Sequence, residues 1–303
     1  MEISVVTSVY ENEDVFEDFI SKFYEEFKKN KISNFEIIFV IDEKKDSSFK
    51  RLSELKEKFQ NISIINLSKN FGHHEALMTG IEHATGKFTF IIDSDLEEDP
   101  EIFSAFYKEI QKDNIDLVIG YQKKRKGGLF EKISGNLAYF YLNKILKIEY
   151  PKNPTNASIM TQQFRDSLLK HPEKSINYIG LLTITGFENV FVEIEKYSKS
   201  KSTYTLRKKI DHLLNISLTY STKSLSFLFY VALTNFFFSS SFVLYLVYKY
   251  FNSEILDGYT SILISVWFFS SIIILFLGVI SFYLKIIMKE VKNRPRTIIK
   301  KIQ

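Results

Sequence analysis

Five short apolar runs, separated by amphipathic or charged stretches, fill the first 121 residues, and this alternation restricts the fold more than any other feature of the chain. "ISVVTSV" (3–9), "FEIIFVI" (35–41), "ISIINL" (62–67), "FTFIID" (88–93) and "DLVIGY" (116–121) have the length and β-branched content of buried strands. Between the first two, "VFEDFISKFYEEFKK" (15–29) places apolar residues at 15, 16, 19, 20, 23, 24 and 27, which is helical spacing. Helices are also predicted over 46–59, 73–84 and 100–112, the last with Pro100 in its first turn. Strand and helix in strict alternation imply an α/β fold with a mostly parallel sheet covered by helices. Ligands of such sheets bind beyond the carboxyl ends of the strands. Asp42, Asp93 and the loop "SKNFGHH" fall at such ends, so three polar loops are expected to meet on one edge.

The fourth run ends in an unusual way. "FTFIIDSDLEEDPE" (88–101) drives a buried strand into Asp93 and Asp95, with Glu97, Glu98 and Asp99 behind them. Crowded carboxylates repel and raise one another's pKa unless something neutralises them. A hard divalent cation does so, and such a cation often bridges phosphates.

The last third of the chain is different in kind. Mean hydropathy is near zero, −0.06, but the average hides two uncharged apolar runs at about 227–248 and 260–284. Each reaches the roughly 20 residues a helix needs to span a bilayer. Residues 196–223 carry seven Lys or Arg against one acid, and Lys285–Gln303 another seven against one. By the positive-inside rule both termini are expected in the cytoplasm, with a tight hairpin outside. Buried core helices are the alternative. The expected organisation is a cytoplasmic α/β domain over 1–195, a basic juxtamembrane segment over 196–226, and a transmembrane hairpin with a basic tail over 227–303. Residues 129–147 show a helical pattern that suits either a core helix or one lying on a membrane surface. The order of elements over 150–195 does not emerge from the sequence. No cysteine is present, which removes disulfides and thiolate chemistry. "MEISVVTSVYENED" lacks the basic start and apolar core of a signal peptide.

Taken in order, "SVVTSVYEN", "FVID" and "LSKNFGHHEALMTGIEHATGKFTFIIDSDLEEDPE" resemble the GT-A domain of family 2 glycosyltransferases. The likeness is to the polyprenyl-phosphate glycosyltransferases, the dolichol-phosphate mannose synthase-like group whose bacterial type carries two C-terminal transmembrane helices. The resemblance makes Asp93-Ser94-Asp95 the family's Asp-x-Asp motif. Asp93 and Asp95 then serve catalysis and, with Glu97 in the place of a common glutamine, hold Mg²⁺ or Mn²⁺ against the donor diphosphate. It also implies a nucleotide-sugar site built from Ser8, Val9, Tyr10, Asn12, Asp42, Asn70, Gly72, His73 and Ser94. Asp42 matches the second aspartate of "VDDGS", although Ile41 replaces the first and Glu43-Lys44 replace Gly-Ser. A plain turn-capping acid is the other reading of Asp42, and solvated histidines the other reading of His73 and His74. The usual "PVYNE" is here Ser8-Val9-Tyr10-Glu11-Asn12, with the last pair exchanged. Gly72 opens a helix whose free N–H groups favour anions.

Past this core the resemblance thins. "LTITGF" (182–187) is similar to the family's "W-T-G-F", and "KSKSTYTLRKK" (199–209) to "G-x-S-K-Y-x-L-x-K". The resemblance suggests Lys199, Ser202 and Tyr204, with Arg125 and Lys132 from the basic stretch around 122–132, as contacts for the acceptor phosphate. Binding of this basic segment to anionic membrane lipids is the competing reading. Nothing resembles a nucleic-acid module.

The resemblance therefore implies a metal-dependent inverting transferase of hexosyl or N-acetylhexosaminyl groups in a bacterial cytoplasmic membrane. The donor is expected to be UDP- or GDP-linked and the acceptor a polyprenyl phosphate, undecaprenyl phosphate in a bacterium; a homo-oligomer is left open. Two alternatives stand beside it. One is transfer to a sugar hydroxyl of a lipid-linked glycan, which needs a base and directs attention to Asp166, Glu173 or Glu188. The other is a silent nucleotide-sugar-binding scaffold.

Overall fold

The computed structural model describes residues 1–10, 13–43, 47–122, 153–173, 177–195 and 258–303, with isolated positions at 140, 144, 234, 237, 238, 241, 244, 245 and 248. The five predicted strands form as β1 (Ile3–Val9), β2 (Phe35–Ile41), β3 (Ile62–Leu67), β4 (Phe88–Ile91) and β5 (Leu117–Tyr121). Three more join them: β6 (Pro154–Thr161), β7 (Asn189–Glu193) and β8 (Ile299–Ile302). Together they make one eight-stranded sheet in the order β7-β5-β6-β4-β1-β2-β3-β8. β1 pairs in parallel with β2 and β4, β2 with β3, and β5 with β7. β6 runs antiparallel between β4 and β5, and β8 runs antiparallel along β3. The sheet is thus mostly parallel at its centre, as the alternation predicts.

Seven helices are described: α1 (Phe16–Lys29), α2 (Ser47–Lys58), α3 (His73–His83), α4 (Phe103–Ile110), α5 (Gln162–Leu168), α6 (Tyr178–Ile184) and α7 (Gly258–Val291). The predicted helices over 15–29 and 100–112 each begin as a 3-10 turn, Glu13–Val15 and Pro100–Ile102. One face of the sheet packs against α1, α2 and α4 through a phenylalanine-rich core. Phe16, Phe19, Phe23 and Phe27 recur at helical spacing on α1 and are fully or almost fully buried. Phe103 meets Phe27 at 5.2 Å and Phe90 at 5.3 Å, both edge-on. Such pairs add about 0.5–1.5 kcal/mol each beyond the area they bury. The other face packs against α3, α5 and α6 through Ala76, Leu77, Met78, Phe164, Tyr178 and Leu181.

The basic tail expected after the second apolar run ends in a strand. After α7 the chain returns to the sheet. Ser68 N–H donates to the Ile298 carbonyl at 2.8 Å, and Ile64 and Gln303 exchange both backbone bonds at 2.9 and 3.0 Å. Within 227–248 the isolated described positions, from Thr234 to Tyr248, are helical. Many side chains of α7 lie outside the described set, and over the described residues alone no helix is long and apolar enough to cross a membrane. The helical pattern at 129–147 also lies outside the described residues, apart from positions 140 and 144.

Candidate active site

The carboxyl ends of β1 to β4 and the start of β6 form one polar edge. Val9 closes β1 with its side chain in the core, so of this predicted contact only the backbone reaches the edge: its carbonyl accepts the Asp42 N–H at 3.1 Å. Tyr10 projects outward, 56% exposed. Asp42, just past β2, is buried and accepts the backbone N–H groups of Phe71 at 2.6 Å and Gly72 at 2.8 Å. Its own carbonyl accepts from the Asn70 amide at 2.9 Å. Asp42 therefore staples the loop after β2 to the loop after β3. Burial pushes its pKa up, opposed by the two N–H donors and by His73 nearby. Gly72 adopts φ +111°, where a side chain would be strained.

His73 is the hub of the edge. Its Nδ1 lies 2.6 Å from the Ser8 hydroxyl and its Nε2 2.9 Å from the Asn156 amide nitrogen. The same nitrogen of Asn156 stands 3.1 and 3.3 Å from the two oxygens of Asp93. A carboxylate only accepts, so the NH₂ end of Asn156 must face it. A neutral His73 would then accept at Nε2, which also lies 3.4 Å from Asp93 Oδ1, and carry its proton on Nδ1 toward Ser8. Ser94 is buried and donates to the Ser8 carbonyl at 3.1 Å. Its side chain ties the turn after β4 to β1.

The acidic cluster separates into different jobs. Asp95 Oδ1 accepts the Glu97 N–H at 2.9 Å across a turn in which Leu96 takes φ +59°. Asp99 caps the next 3-10 turn by accepting the Glu101 N–H at 3.0 Å, and pairs with Lys22 at 2.7 Å. Partial burial works against ionisation of Asp99, but the Lys22 bond and the Glu101 N–H outweigh it and hold its pKa below the usual aspartate value. Glu98 is fully buried. Asp93, Asp95 and Glu97, all half-buried, remain on the open edge.

Among the described residues no three His, Asp or Glu side chains converge as a preformed metal cage. A phosphate-bridging Mg²⁺ or Mn²⁺ does not require one. It takes one or two protein carboxylates and fills its octahedron with water and phosphate oxygens. Asp93 and Asp95, hard oxygen donors on an open edge, fit that donor set.

Ser8, His73 and Asp93 are thus linked through Asn156, and Asp42, Asn70 and Gly72 to one another, the two sets meeting at the Gly72–His73 peptide, with Asp95 and Glu97 next to Asp93 along the chain. Asn12, Arg125, Lys132, Lys199, Ser202 and Tyr204 lie outside the described residues. Asn156 is the residue that sequence reasoning missed, because it opens a strand with no legible pattern. Of the three acids considered as bases, Glu188 precedes β7 at the opposite edge, where its carbonyl accepts the Asp116 N–H. Asp166 lies 3.6 Å from Arg165, and Glu173 3.6 Å from His171. No described contact joins any of them to His73 or Asp93.

A sequence model described as Glycosyl transferase family 2 matches residues 4–171. A Mycobacterium tuberculosis protein bearing a glycosyltransferase name is 34% identical over 306 residues, covering 100% of this chain and 88% of that one. The SfII prophage-derived bactoprenol glucosyl transferase of Shigella flexneri is 27% identical over 311 residues, covering 99% and 98%. In fold, the chain is similar to the mannosyltransferase PcManGT of Pyrobaculum calidifontis, solved with GDP-Man and Mn²⁺. The TM-score is 0.51 at 14% identity, over 71% of this chain and 62% of that one. The sheet is accordingly of the GT-A type.

Proposed function

The chain belongs to glycosyl transferase family 2 and is a glycosyltransferase, and from that premise we propose that it moves a sugar from a UDP- or GDP-linked donor to a polyprenyl phosphate at the cytoplasmic face of a bacterial membrane. The observation that carries this reading is the linkage of Ser8, His73, Asn156 and Asp93 beside the Asp42-held loop on the carboxyl edge of a GT-A sheet. Asp93 and Asp95, with Glu97 beside them, would hold Mg²⁺ or Mn²⁺, which supplies positive charge against the leaving diphosphate. The N–H groups at the start of α3 favour the same anion. Asp42 keeps that loop in place through Phe71 and Gly72, and Tyr10 offers an exposed ring to the base.

Transfer is an in-line displacement. The anomeric carbon loses its bond to the diphosphate oxygen and gains one to an oxygen of the lipid phosphate, with inversion. A phosphate acceptor is already ionised at neutral pH, so it needs no base. Arg125, Lys132, Lys199, Ser202 and Tyr204 are the acceptor-side residues of this reading. The acceptor class is supported by the relative named for bactoprenol.

Membrane attachment through the hairpin is part of the proposal. Residues 258–284 within α7 contain no charge, and at 1.5 Å per residue they rise about 40 Å, more than the roughly 30 Å hydrocarbon core. Ile262, Val266, Ile273, Leu277 and Leu284 are exposed along it, Ile273 by 60%. A row of bare aliphatics in water is costly and is relieved in lipid.

The test uses detergent-purified protein, undecaprenyl phosphate, Mg²⁺ or Mn²⁺, and radiolabelled UDP- and GDP-sugars. Label passing into the organic phase, dependent on metal and abolished in Asp95→Asn, is the expected result. Donor binding without labelled lipid would instead direct the search to a sugar-hydroxyl acceptor.

A further inference from the structure

The end of α7 touches the start of α3. Lys289 Nζ stands 3.5 Å from Glu75 Oε1, across 214 residues of sequence. Glu75 belongs to the first turn of α3 and is largely covered, its side chain 17% exposed. Its other oxygen reaches back over the loop, 3.0 Å from where a Cβ on Gly72 would sit. Burial raises the pKa of Glu75, opposed by its own N–H and by Lys289, and the charge of nearby Asp42 adds the smallest upward push. Two carboxylates therefore crowd the turn at Gly72, Asp42 holding the Phe71 and Gly72 N–H groups and Glu75 lying over it.

An exposed lysine–carboxylate pair alone is worth little, because holding two long side chains together costs entropy. Here the backbone carrying Lys289 is held by the segment beyond α7. Arg296 donates to the His171 carbonyl. Thr297 and Thr79 hydroxyls bond at 2.8 Å, placing the segment against the middle of α3. Ile299 packs on the core face beneath α3, and β8 then pairs with β3. Residues 292–303 form a strap that brings the last turn of α7 to the first turn of α3.

We propose that Lys289 is a positioning residue for the donor site: it neutralises Glu75, so that the turn at Gly72 accepts an anionic donor. This rests on the reading of that turn as the diphosphate site. It makes the membrane-side end of α7 a part of donor binding, supplied from the far end of the chain.

The experiment measures UDP and GDP binding, with Mn²⁺ present, by titration calorimetry on the full chain in detergent. Lys289→Gln is expected to weaken binding about fivefold, the scale of one charge at a helix end. The loss should shrink as ionic strength rises. Glu75→Gln is expected to tighten binding about twofold, and the double variant to recover the loss of Lys289→Gln. Lys289→Arg should bind as the natural chain does, which separates charge from mere packing. The proposal is overturned if Lys289→Gln binds like the natural chain, or if Glu75→Gln weakens binding equally with no recovery in the double variant. If the natural chain binds neither nucleotide, the donor-site reading fails and takes the proposal with it.

Discussion

The two edges of the sheet are both polar, yet they are built in opposite ways. At the amino edge Ser4, Glu36, Thr89 and Arg165 are buried and bonded to one another through Thr85 and Gly86. Glu36 accepts the Ser4 hydroxyl at 2.6 Å, and the Thr85 N–H and hydroxyl at 2.9 and 2.7 Å. Gly86 N–H donates to Ser4 Oγ at 2.7 Å, and Arg165 Nη1 to the Gly86 carbonyl at 2.9 Å. These bonds satisfy the buried polar groups from within the fold. At the carboxyl edge His73 is 39% exposed and Asp93 19%, and Asp95 and Glu97 stand half-open beside them. A closed network specifies the fold. An open one, with its carboxylates reached by solvent, is built to take a ligand.

Substitutions at the two edges should therefore separate activity from stability. The largest effect is expected from Asp95→Asn: transfer falls by about two to three orders of magnitude, the usual scale for losing a group that stabilises developing charge, while the thermal midpoint holds. A parallel loss of midpoint would break the contrast. Next comes Gly86→Ala at the closed edge. Its Cβ would lie 2.6 Å from Ser4 N and 2.8 Å from the Ile3 carbonyl carbon, both backbone atoms. Destabilisation of about 3 kcal/mol is expected, read by denaturant unfolding, with donor affinity of the folded fraction preserved. Gly72→Ala sharpens the pair. The Glu75 carboxylate it would meet can swing away, but φ +111° remains, at a cost of about 1–2 kcal/mol. Here donor affinity should fall together with the midpoint.

The smallest effect expected is that of Asp99→Asn, which removes the Lys22 partner. Because the folded-state pKa of Asp99 is lowered, its stabilisation is complete above the ordinary aspartate value of 3.8 and disappears as pH falls through the folded value. The midpoint difference between Asp99→Asn and the natural chain should be present at pH 7 and vanish in acid below that range. A difference that persisted there would assign the effect to packing.

How far the sequence predicted these edges depended on how local the signals were. β1 to β5 were legible because each is a continuous apolar run set off by a helix of clear period. β6 was not. "PTNASIMT" mixes Asn156 and Ser158 into a strand at the centre of the sheet, and Ser158 is tolerated there because its hydroxyl meets that of Tyr178 at 2.7 Å. That partner lies on a distant helix and leaves no local trace. The residues around Asp93 were legible as a site but not as a division of labour. Which acid caps a turn, like Asp99, depends on Lys22 arriving from α1. Asp42 turned out to serve the loop after β3 directly, a role that spacing cannot disclose. β8 was hidden for a similar reason, since "IKKI" has the composition of a basic tail and becomes a strand only beside β3.

That last strand also orders events in time. β3 is finished about 230 residues before β8, and at the usual 5–20 residues per second the ribosome needs on the order of tens of seconds to cover the difference. During that interval the edge of β3 presents its unpaired N–H and C=O groups to any passing strand. The catalytic sheet is thus sealed by residues translated long after β3, and the nascent chain must be guarded until they emerge.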